Sequence, residues 1–251
     1  MLFFNRWRNI MGTQYSIIVN TISPRASRKP LYAMFLVLGV LALGACRRSS
    51  PPAAPNEPNV SRELPPQTET SLFDGKTLGH WEVTDFGGQG DVYVKDGAIY
   101  LEVGSDMTGV TWSGPVVKTN YEITLEAMRV SGSDFFCGLT FPVGESFCSL
   151  ILGGWGGTVC GLSNIDYYDA ADNETTQIVS FENGRWYPVR LRVTPNRITA
   201  WLDEEEPLVD IDITGRKIDT RVEVDLSQPL GIATWQTTGA IRNIHLQKLA
   251  D

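Results

Sequence analysis

Apolar and polar residues alternate strictly in four separate segments of the C-terminal part of the chain. Residues 121–127 have the sequence YEITLEA, and residues 189–193, 196–203 and 243–248 continue the same period of two. Such alternation is typical of β-strands that bury one face. Turn sequences rich in glycine, asparagine and proline separate these segments, and no stretch has a helical period with caps. The sequence therefore predicts an all-β fold in which antiparallel sheets pack face to face as a β-sandwich.

A short apolar run near the N-terminus indicates export. Residues 31–46 have the sequence LYAMFLVLGVLALGAC and follow the basic residues Arg25, Arg28 and Lys29. A positive segment, a short apolar segment and small residues at its end are typical of a secretory signal. The apolar part is about 13 residues long, whereas a transmembrane helix needs about 20 to cross a hydrocarbon core. We therefore expect the chain to be exported rather than to span the membrane.

The end of this run indicates how the exported chain is retained. Residues 43–46, Leu-Gly-Ala-Cys, resemble the lipobox of bacterial lipoproteins. The resemblance implies that the thiol of Cys46 carries a lipid and that the chain is cut just before it. Arg47 then follows the lipidated cysteine, which by analogy with Gram-negative sorting favours the outer membrane. We therefore expect a lipid-anchored protein of the cell envelope that contacts the membrane only through its anchor.

The rest of the chain divides into a linker and one domain. Residues 47–70, RRSSPPAAPNEPNVSRELPPQTET, are rich in proline and contain few apolar residues. Such a segment favours extended, solvated backbone and acts as a spacer. We therefore assign residues 1–46 to a signal and lipobox region, residues 47–70 to a disordered linker and residues 71–250 to a single domain, which is long enough to bury a sizeable core.

The charge of the exported part excludes one class of partner. Residues 1–45 carry five of the 21 basic residues and none of the 29 acidic ones, so the remainder has a formal net charge of −13. A strongly acidic domain repels phosphate backbones, and we therefore expect no nucleic-acid partner. Neutral sugars remain compatible with this charge.

Three cysteines remain in the domain after Cys46 is assigned to the lipid. They are Cys137, Cys148 and Cys160, an odd number, so at most one disulfide can form within the chain. Their spacing matches no zinc motif. We interpret them as small buried apolar residues.

Seven segments of the domain, in order along the chain, resemble motifs of the 3-keto-disaccharide hydrolase domain family. The opening segment is SLFDGKTLGHW at residues 71–81, and the later ones are residues 94–100, 121–126, 183–190, 196–203, 229–234 and 241–246. The resemblance implies a concanavalin A-like jelly-roll sandwich of two antiparallel sheets. It also implies cleavage of glycosidic bonds in sugars oxidised at C3. That reaction needs a general base near C2 and a hydrogen-bond donor or cation near the ketone oxygen.

One segment departs from the family pattern. Many members carry an acidic or amide residue on a central strand, whereas the corresponding segment here, residues 146–152, is SFCSLIL and has no acidic residue. If that residue is a base or a metal ligand in the family, this chain has lost it, and the loss favours a non-catalytic function.

An acidic loop, defined as residues 165–174 (IDYYDAADNE), is the first candidate site. We predict that its carboxylates, Asp166, Asp169, Asp172 and Glu174, include the catalytic groups. Oxygen ligands at this density also suit a divalent cation such as Ca²⁺, although the spacing differs from a regular calcium loop. In the same segment Tyr167, Tyr168 and Asn173 are predicted to bind sugar. An ordinary acidic surface loop is the alternative.

Aromatic and acidic side chains on the predicted strands supply further candidates for substrate binding. Trp155 lies between two glycine pairs at residues 153–157, where it serves either as a sugar platform or as the cap of a hairpin. Trp201 and Trp235 lie on or beside predicted strands. Glu122 and Glu126 share one face of a strand, where the alternatives are a sugar groove and a cross-strand ion ladder. Asp134, before Phe135, is a further residue that could face the groove.

These observations leave three functions open. The first is an envelope-anchored hydrolase or lyase that cleaves the glycosidic bonds of 3-keto-glycosides, with an oligosaccharide or keto-sugar as partner. The second is a non-catalytic carbohydrate-binding lipoprotein, and the third is a structural or adhesion domain.

Overall fold

The computed structural model describes residues 69–203 and 205–250. Within these residues the chain forms strands β1 to β15 and one 3₁₀ helix, η1, which lies between β13 and β14. The strands, in chain order, are Glu69–Ser71, Trp81–Val83, Val92–Lys95, Ala98–Leu101, Met107–Trp112, Tyr121–Gly132, Cys137–Val143, Ser146–Gly154, Val159–Ser163, Gln177–Ile178, Trp186–Thr194, Arg197–Leu202, Val209–Asp212, Gly231–Trp235 and Thr237–Lys248, and η1 is Val222–Ser227. The all-β prediction is confirmed. The signal region, Cys46 and the linker up to residue 68 lie outside the described residues, and β1 begins two residues before the predicted domain boundary.

The strands form two antiparallel sheets. The larger has the order β13-β12-β11-β6-β15-β4-β3, with β1 also paired to β15 as its eighth strand. The smaller has seven strands in the order β10-β9-β8-β7-β14-β5-β2. This is the jelly-roll sandwich that the family resemblance implies. In the described part of the chain, no helix has the length and apolar character needed to cross a membrane.

The core lies between the two sheets and follows the alternation of the sequence. On β6 of the larger sheet, Ile123 and Leu125 face inward, and on β8 of the smaller sheet Leu150 and Leu152 do the same. Their side chains are almost completely buried. Burial of a leucine or isoleucine side chain stabilises the fold by about 1.5–3 kcal/mol, so the many inward positions together hold the sheets in place.

The outer face of the smaller sheet is also covered, by a stretch that we call the roof segment (residues 213–228, which include η1). A Cβ at Gly231 of β14 would come within 2.4 Å of the carbonyl oxygen of Ser227, so η1 packs directly on the sheet backbone. Gly161 of β9 allows the same close approach, because a Cβ there would be 3.1 Å from the carbonyl oxygen of Ala170 in the acidic loop. Thr140 and Ser149 consequently lie buried on this outer face, with their hydroxyl oxygens 2.9 Å apart.

The three cysteines of the described chain are free and buried. Cys137, Cys148 and Cys160 all face the core, in agreement with their interpretation as apolar residues. Burial disfavours the thiolate and raises the pKa of each thiol to about 12. They therefore contribute packing rather than nucleophilic chemistry.

Candidate active site

A cavity of about 180 Å³, which we call the candidate cavity, opens on the outer face of the smaller sheet beside the roof segment. Strands β5, β8, β9 and β14 supply its floor, and residues 134–135, Trp155 and the roof segment supply its walls. The lining residues are Met107, Asp134, Phe135, Ile151, Trp155, Ser163, Arg221, Glu223, Val224 and Trp235. The site therefore combines two indoles with two acids and one cation.

Asp134 is held in a fixed orientation at the wall of the candidate cavity. Its Oδ1 accepts a hydrogen bond from the backbone N–H of Phe135 at 2.8 Å, and its Oδ2 accepts one from that of Gly156 at 3.0 Å. Each carboxylate oxygen retains a free lone pair after these bonds. The carboxylate thus joins two loops while it can still accept a proton from a bound molecule.

Trp155 reaches the candidate cavity because the β8–β9 hairpin turns sharply. Its backbone has a φ of 50°, in the left-handed region, and the following Gly156 and Gly157 also have positive φ values. The indole remains 43% exposed. Trp235, at the end of β14, packs with Met107 and Val224. Two of the predicted aromatic platforms therefore face the same cavity.

Arg221 is the cation of the candidate cavity, and it has two acidic partners. Its Nη1 lies 2.7 Å from Oδ2 of Asp169, and its Nη2 lies 3.1 Å from Oε1 of Glu223. The hydrogen bond from Arg221 lowers the pKa of Glu223 and raises that of Arg221. Of the four predicted catalytic acids, Asp169 therefore touches the site, through an arginine that the sequence analysis did not single out.

The other acids of the acidic loop lie elsewhere. Asp166 and Glu174 both pair with Arg216, each with an N···O distance of 2.6 Å. A hydrogen bond from the Lys217 backbone N–H, and then Arg216, lowers the pKa of Asp166, and Arg216 lowers that of Glu174. Asp172 is exposed to solvent. The structure therefore does not gather the four predicted carboxylates in one cavity, because Arg216 holds Asp166 and Glu174 together whereas Arg221 holds Asp169.

Asn173, which was predicted to bind sugar, shapes the acidic loop from within. Its Nδ2 donates to the carbonyl oxygens of Leu162 and Asp169, both at 2.8 Å, and its Oδ1 accepts from the backbone N–H of Thr175 at 2.9 Å. Tyr167 and Tyr168 are 80% and 60% exposed and lie outside the lining of the candidate cavity. These two tyrosines are accessible, whereas the amide of Asn173 is occupied by the loop's own backbone.

Among the described residues, no group of three or more histidine, cysteine, aspartate or glutamate side chains is arranged to hold a metal ion. In the acidic loop, the carboxylates of Asp166, Asp169 and Glu174 face arginine N–H groups instead. A bound divalent cation at this loop stays a prediction.

The remaining predicted site residues lie on the opposite side of the sandwich, on the outer face of the larger sheet. Trp201 of β12 stacks under Arg190 of β11, with the guanidinium carbon 3.5 Å from the ring centroid. Glu122 pairs with Arg192 at 2.8 Å and with Arg190 at 3.5 Å. These contacts are the cross-strand ion ladder that the sequence left as one alternative.

Glu126 follows Glu122 and Thr124 on the same outer face of β6, and like Glu122 it pairs with an arginine. It pairs with Arg242 at 2.6 Å and accepts a hydrogen bond from Asn243 at 2.9 Å. Burial raises its pKa, but the hydrogen bonds from Asn243 and Arg242 outweigh burial, and the net pKa is below the ordinary value. A shallow depression of about 530 Å³ on this face has Glu126, Arg190 and Trp201 in its lining. The core separates this depression from the candidate cavity, so one sugar unit cannot contact both of them.

Sequence reasoning identified Trp155, Trp235 and Asp134 as candidates but missed Arg221 and Glu223. These two residues lie in the sequence RVEVDLS, which alternates polar and apolar residues as a strand would, has no recognisable motif and nevertheless forms the 3₁₀ helix η1. The segment that lacks the family's acidic residue forms strand β8. Its outward side chains include Ser149 and Ile151, and Ile151 lines the candidate cavity. The floor of the site is therefore uncharged, and its acids come from the β6–β7 loop and from η1.

The two-sheet architecture is shared with carbohydrate-active proteins of known structure. The Crh5 transglycosylase without ligand matches with a TM-score of 0.51 at 12% identity over 74% of this chain and 85% of its own. A β-1,3-1,4-glucanase (lichenase) from a mouse hindgut metagenome matches with a TM-score of 0.45 at 10% identity, over 73% and 99%. The carbohydrate-binding module CBM66 from Bacillus subtilis matches with a TM-score of 0.44 at 11% identity, over 67% and 96%. At these identities the likeness concerns the fold.

The family model of the 3-keto-alpha-glucoside-1,2-lyase-like domain matches residues 68–247. The chain belongs to this family, as the sequence motifs indicated. No curated protein matches the chain.

Proposed function

We propose that this protein is a lipid-anchored enzyme of the cell envelope that cleaves the glycosidic bond of 3-keto-glycosides in the candidate cavity. The observation that carries the proposal is the joint presence of Asp134 and Arg221 in one cavity between Trp155 and Trp235. Membership of the 3-keto-alpha-glucoside-1,2-lyase-like family supports the substrate class.

The chemistry requires one base and one donor. A carbonyl at C3 acidifies the proton on C2. Asp134 takes that proton, a C1=C2 double bond forms, and the C1–O bond breaks with its electron pair on the leaving oxygen. The protonated Asp134 then gives its proton to this oxygen, which restores the carboxylate. Arg221 donates to the ketone oxygen as negative charge develops on it. Addition of water across the double bond then completes a net hydrolysis. The indoles of Trp155 and Trp235 stack on the sugar ring and hold it above the carboxylate.

The cellular location is part of the same proposal. The lipid on Cys46 holds the protein at the membrane, by analogy the outer membrane, and the proline-rich linker separates the domain from the lipid surface. A keto-sugar or an oligosaccharide that carries one would meet the domain there.

One observation favours a second function, non-catalytic sugar binding. The outward positions of β8 carry Ser149 and Ile151, so the central strand supplies no carboxylate to the candidate cavity. In that case the two indoles and Asp134 hold a sugar through stacking and hydrogen bonds without chemistry.

The deciding experiment follows a 3-keto-disaccharide by NMR in the presence of the full-length protein in mild detergent. We expect release of the 3-keto-sugar or its 1,2-unsaturated product. Asp134→Asn should lower the rate by roughly 10²–10⁴-fold, as expected for loss of a general base. Asp91→Asn, at an exposed aspartate that does not line the cavity, should leave the rate unchanged.

The same assay separates the competing interpretations. A larger loss of the cleavage rate in Asp172→Asn or Glu174→Gln than in Asp134→Asn would show that the general base belongs to the acidic loop. A cleavage rate that rises with added Ca²⁺ and falls with a chelator would support a bound divalent cation. Line broadening without turnover would support the binding module, and unchanged substrate with unchanged lines would refute both functions.

A further inference from the structure

A buried cation without an acidic partner lies on the larger sheet, near the end of β6. Arg129 is only 7% exposed, and no carboxylate of the described residues pairs with it. Burial of an unpaired charge is costly, and buried arginines normally face a carboxylate or another anion. Arg129 therefore needs a partner that the described chain does not provide.

The groups that do contact Arg129 are neutral. Its Nε donates to Oδ1 of Asn183 at 2.8 Å, its Nη1 to the carbonyl oxygen of Gly157 at 3.2 Å and its Nη2 to that of Phe181 at 2.7 Å. The rings of Phe136 and Phe181 lie 5.9 and 5.8 Å from the guanidinium carbon. A guanidinium has five N–H donors, so two remain after these three bonds, and the positive charge is not neutralised.

Arg129 lines an open depression of about 540 Å³, which we call the Arg129 cavity. Ser133, Thr158, Ser180 and Asn183 contribute hydroxyl and amide groups to its lining, and backbone of glycine residues completes it. Arg129 is the one charged residue in that lining. The Arg129 cavity thus offers one buried cation surrounded by groups that hydrogen-bond sugar hydroxyls.

We propose that the Arg129 cavity binds a carboxylate-bearing sugar, such as a uronic acid unit. Two spare N–H donors match the two oxygens of one carboxylate, and such a pair would supply the missing counter-charge. The hydroxyl and amide groups around it suit the sugar ring. Residues 156–157 and the adjoining Ser133 border this cavity, next to the loops that carry Trp155 and Asp134. The inference stands independently of the proposed activity.

Calorimetric titration of the full-length protein in detergent at pH 7 tests the proposal with three probes. We expect methyl β-D-glucuronide to bind at least roughly tenfold more tightly than methyl β-D-glucoside, because a charge-assisted pair forms with the first alone. Arg129→Met should abolish this preference. Arg185→Met, at a nearby surface arginine that pairs with Asp203, should retain it. Sodium acetate should bind more weakly than the glucuronide.

Arg129 also holds two loops together, so Arg129→Met can reduce stability as well as ligand binding. A second variant separates these two effects. Ser180→Glu places a carboxylate at the exposed rim of the Arg129 cavity while Arg129 stays in place. We expect it to abolish glucuronide binding and to raise Tm by roughly 2–4 °C, as an internal counter-ion would. Ser131→Glu, exposed but outside the lining, should do neither.

Three results would overturn the proposal. Equal affinity for glucuronide and glucoside would show that the charge is not recognised. Undiminished glucuronide binding in a folded Ser180→Glu protein would place the ligand elsewhere. Acetate that binds as tightly as the glucuronide would refute the sugar component.

Discussion

At the scale of single residues, the side chains that hold the acidic loop differ sharply from their neighbours. Asn173 makes hydrogen bonds through both ends of its amide to three backbone segments, whereas the adjacent Asp172 is exposed. The two residues look equivalent in the sequence, since both are short and polar. Their contacts make one a structural support of the loop and the other a surface residue.

We therefore expect Asn173→Ala to lower the free energy of unfolding by about 2–3 kcal/mol, because buried backbone donors and acceptors lose their partners. Asp172→Ala should change it by less than about 0.5 kcal/mol. Urea denaturation followed by tryptophan fluorescence measures both. Equal effects of the two changes would mean that the amide network does not hold the loop.

At the scale of elements, the roof segment and the acidic loop are clamped together by arginine–carboxylate pairs. Arg216 joins Asp166 and Glu174, and Arg221 joins Asp169. The pKa values of Asp166 and Glu174 lie below their ordinary values in the folded protein. The carboxylates that the sequence suggested for catalysis therefore act, in part, to keep the roof segment over the smaller sheet.

The pH dependence of this clamp follows from the lowered pKa values of Asp166 and Glu174. A carboxyl group with a lowered folded pKa stabilises the fold above its unfolded pKa of about 4, and the contribution is lost as the pH falls through the lower folded value. We expect amide hydrogen exchange in residues 213–228, corrected for its intrinsic rate, to accelerate below about pH 4 relative to β6.

A matched variant isolates the arginine in this clamp. Arg216→Met should produce the same acceleration at pH 7, whereas Arg197→Met, which breaks the surface pair with Asp210 on β13, should not. Unchanged protection of the roof segment in both the acid and the Arg216 experiments would show that packing alone holds it.

At the scale of the whole molecule, the sandwich carries aromatic side chains on two opposite faces. Trp155 and Trp235 line the candidate cavity on the smaller sheet, and Trp201 lies under Arg190 on the larger sheet. The core separates the two groups. A single sugar unit can contact one face at a time, so the predicted set of binding residues divides into two.

We expect Trp155→Ala to weaken the binding of a keto-sugar to the candidate cavity by roughly five- to tenfold, since a stacked aromatic ring contributes up to about 1.5 kcal/mol beyond the area that it buries. Trp201→Ala should leave that affinity within about twofold. Fluorescence titration with the 3-keto-disaccharide at low temperature measures both. The reverse order of effects would place the sugar on the larger sheet.

The fold class, the core positions and the family membership all follow from the amino-acid sequence alone. Alternation assigns inward and outward side chains along each strand without knowledge of the partner strand, and it placed residues such as Ile123 and Leu191 in the core correctly. In the alternating segment 196–203, Trp201 falls opposite Ala200 and Leu202, which places it on the outer face, as the structure shows. These properties depend on neighbours one or two residues away, so they can be deduced from local sequence.

Which outward side chains meet depends on the long-range folding of the chain. Asp134, Trp155 and Arg221 come from distant parts of the chain and share a cavity because the roof segment folds over the smaller sheet. Arg216 and Arg221 take Asp166, Glu174 and Asp169 as partners, which no local pattern reveals. The physical reason is that ion pairs and cavity walls form across long separations, where the registry of strands and the path of loops set the distances.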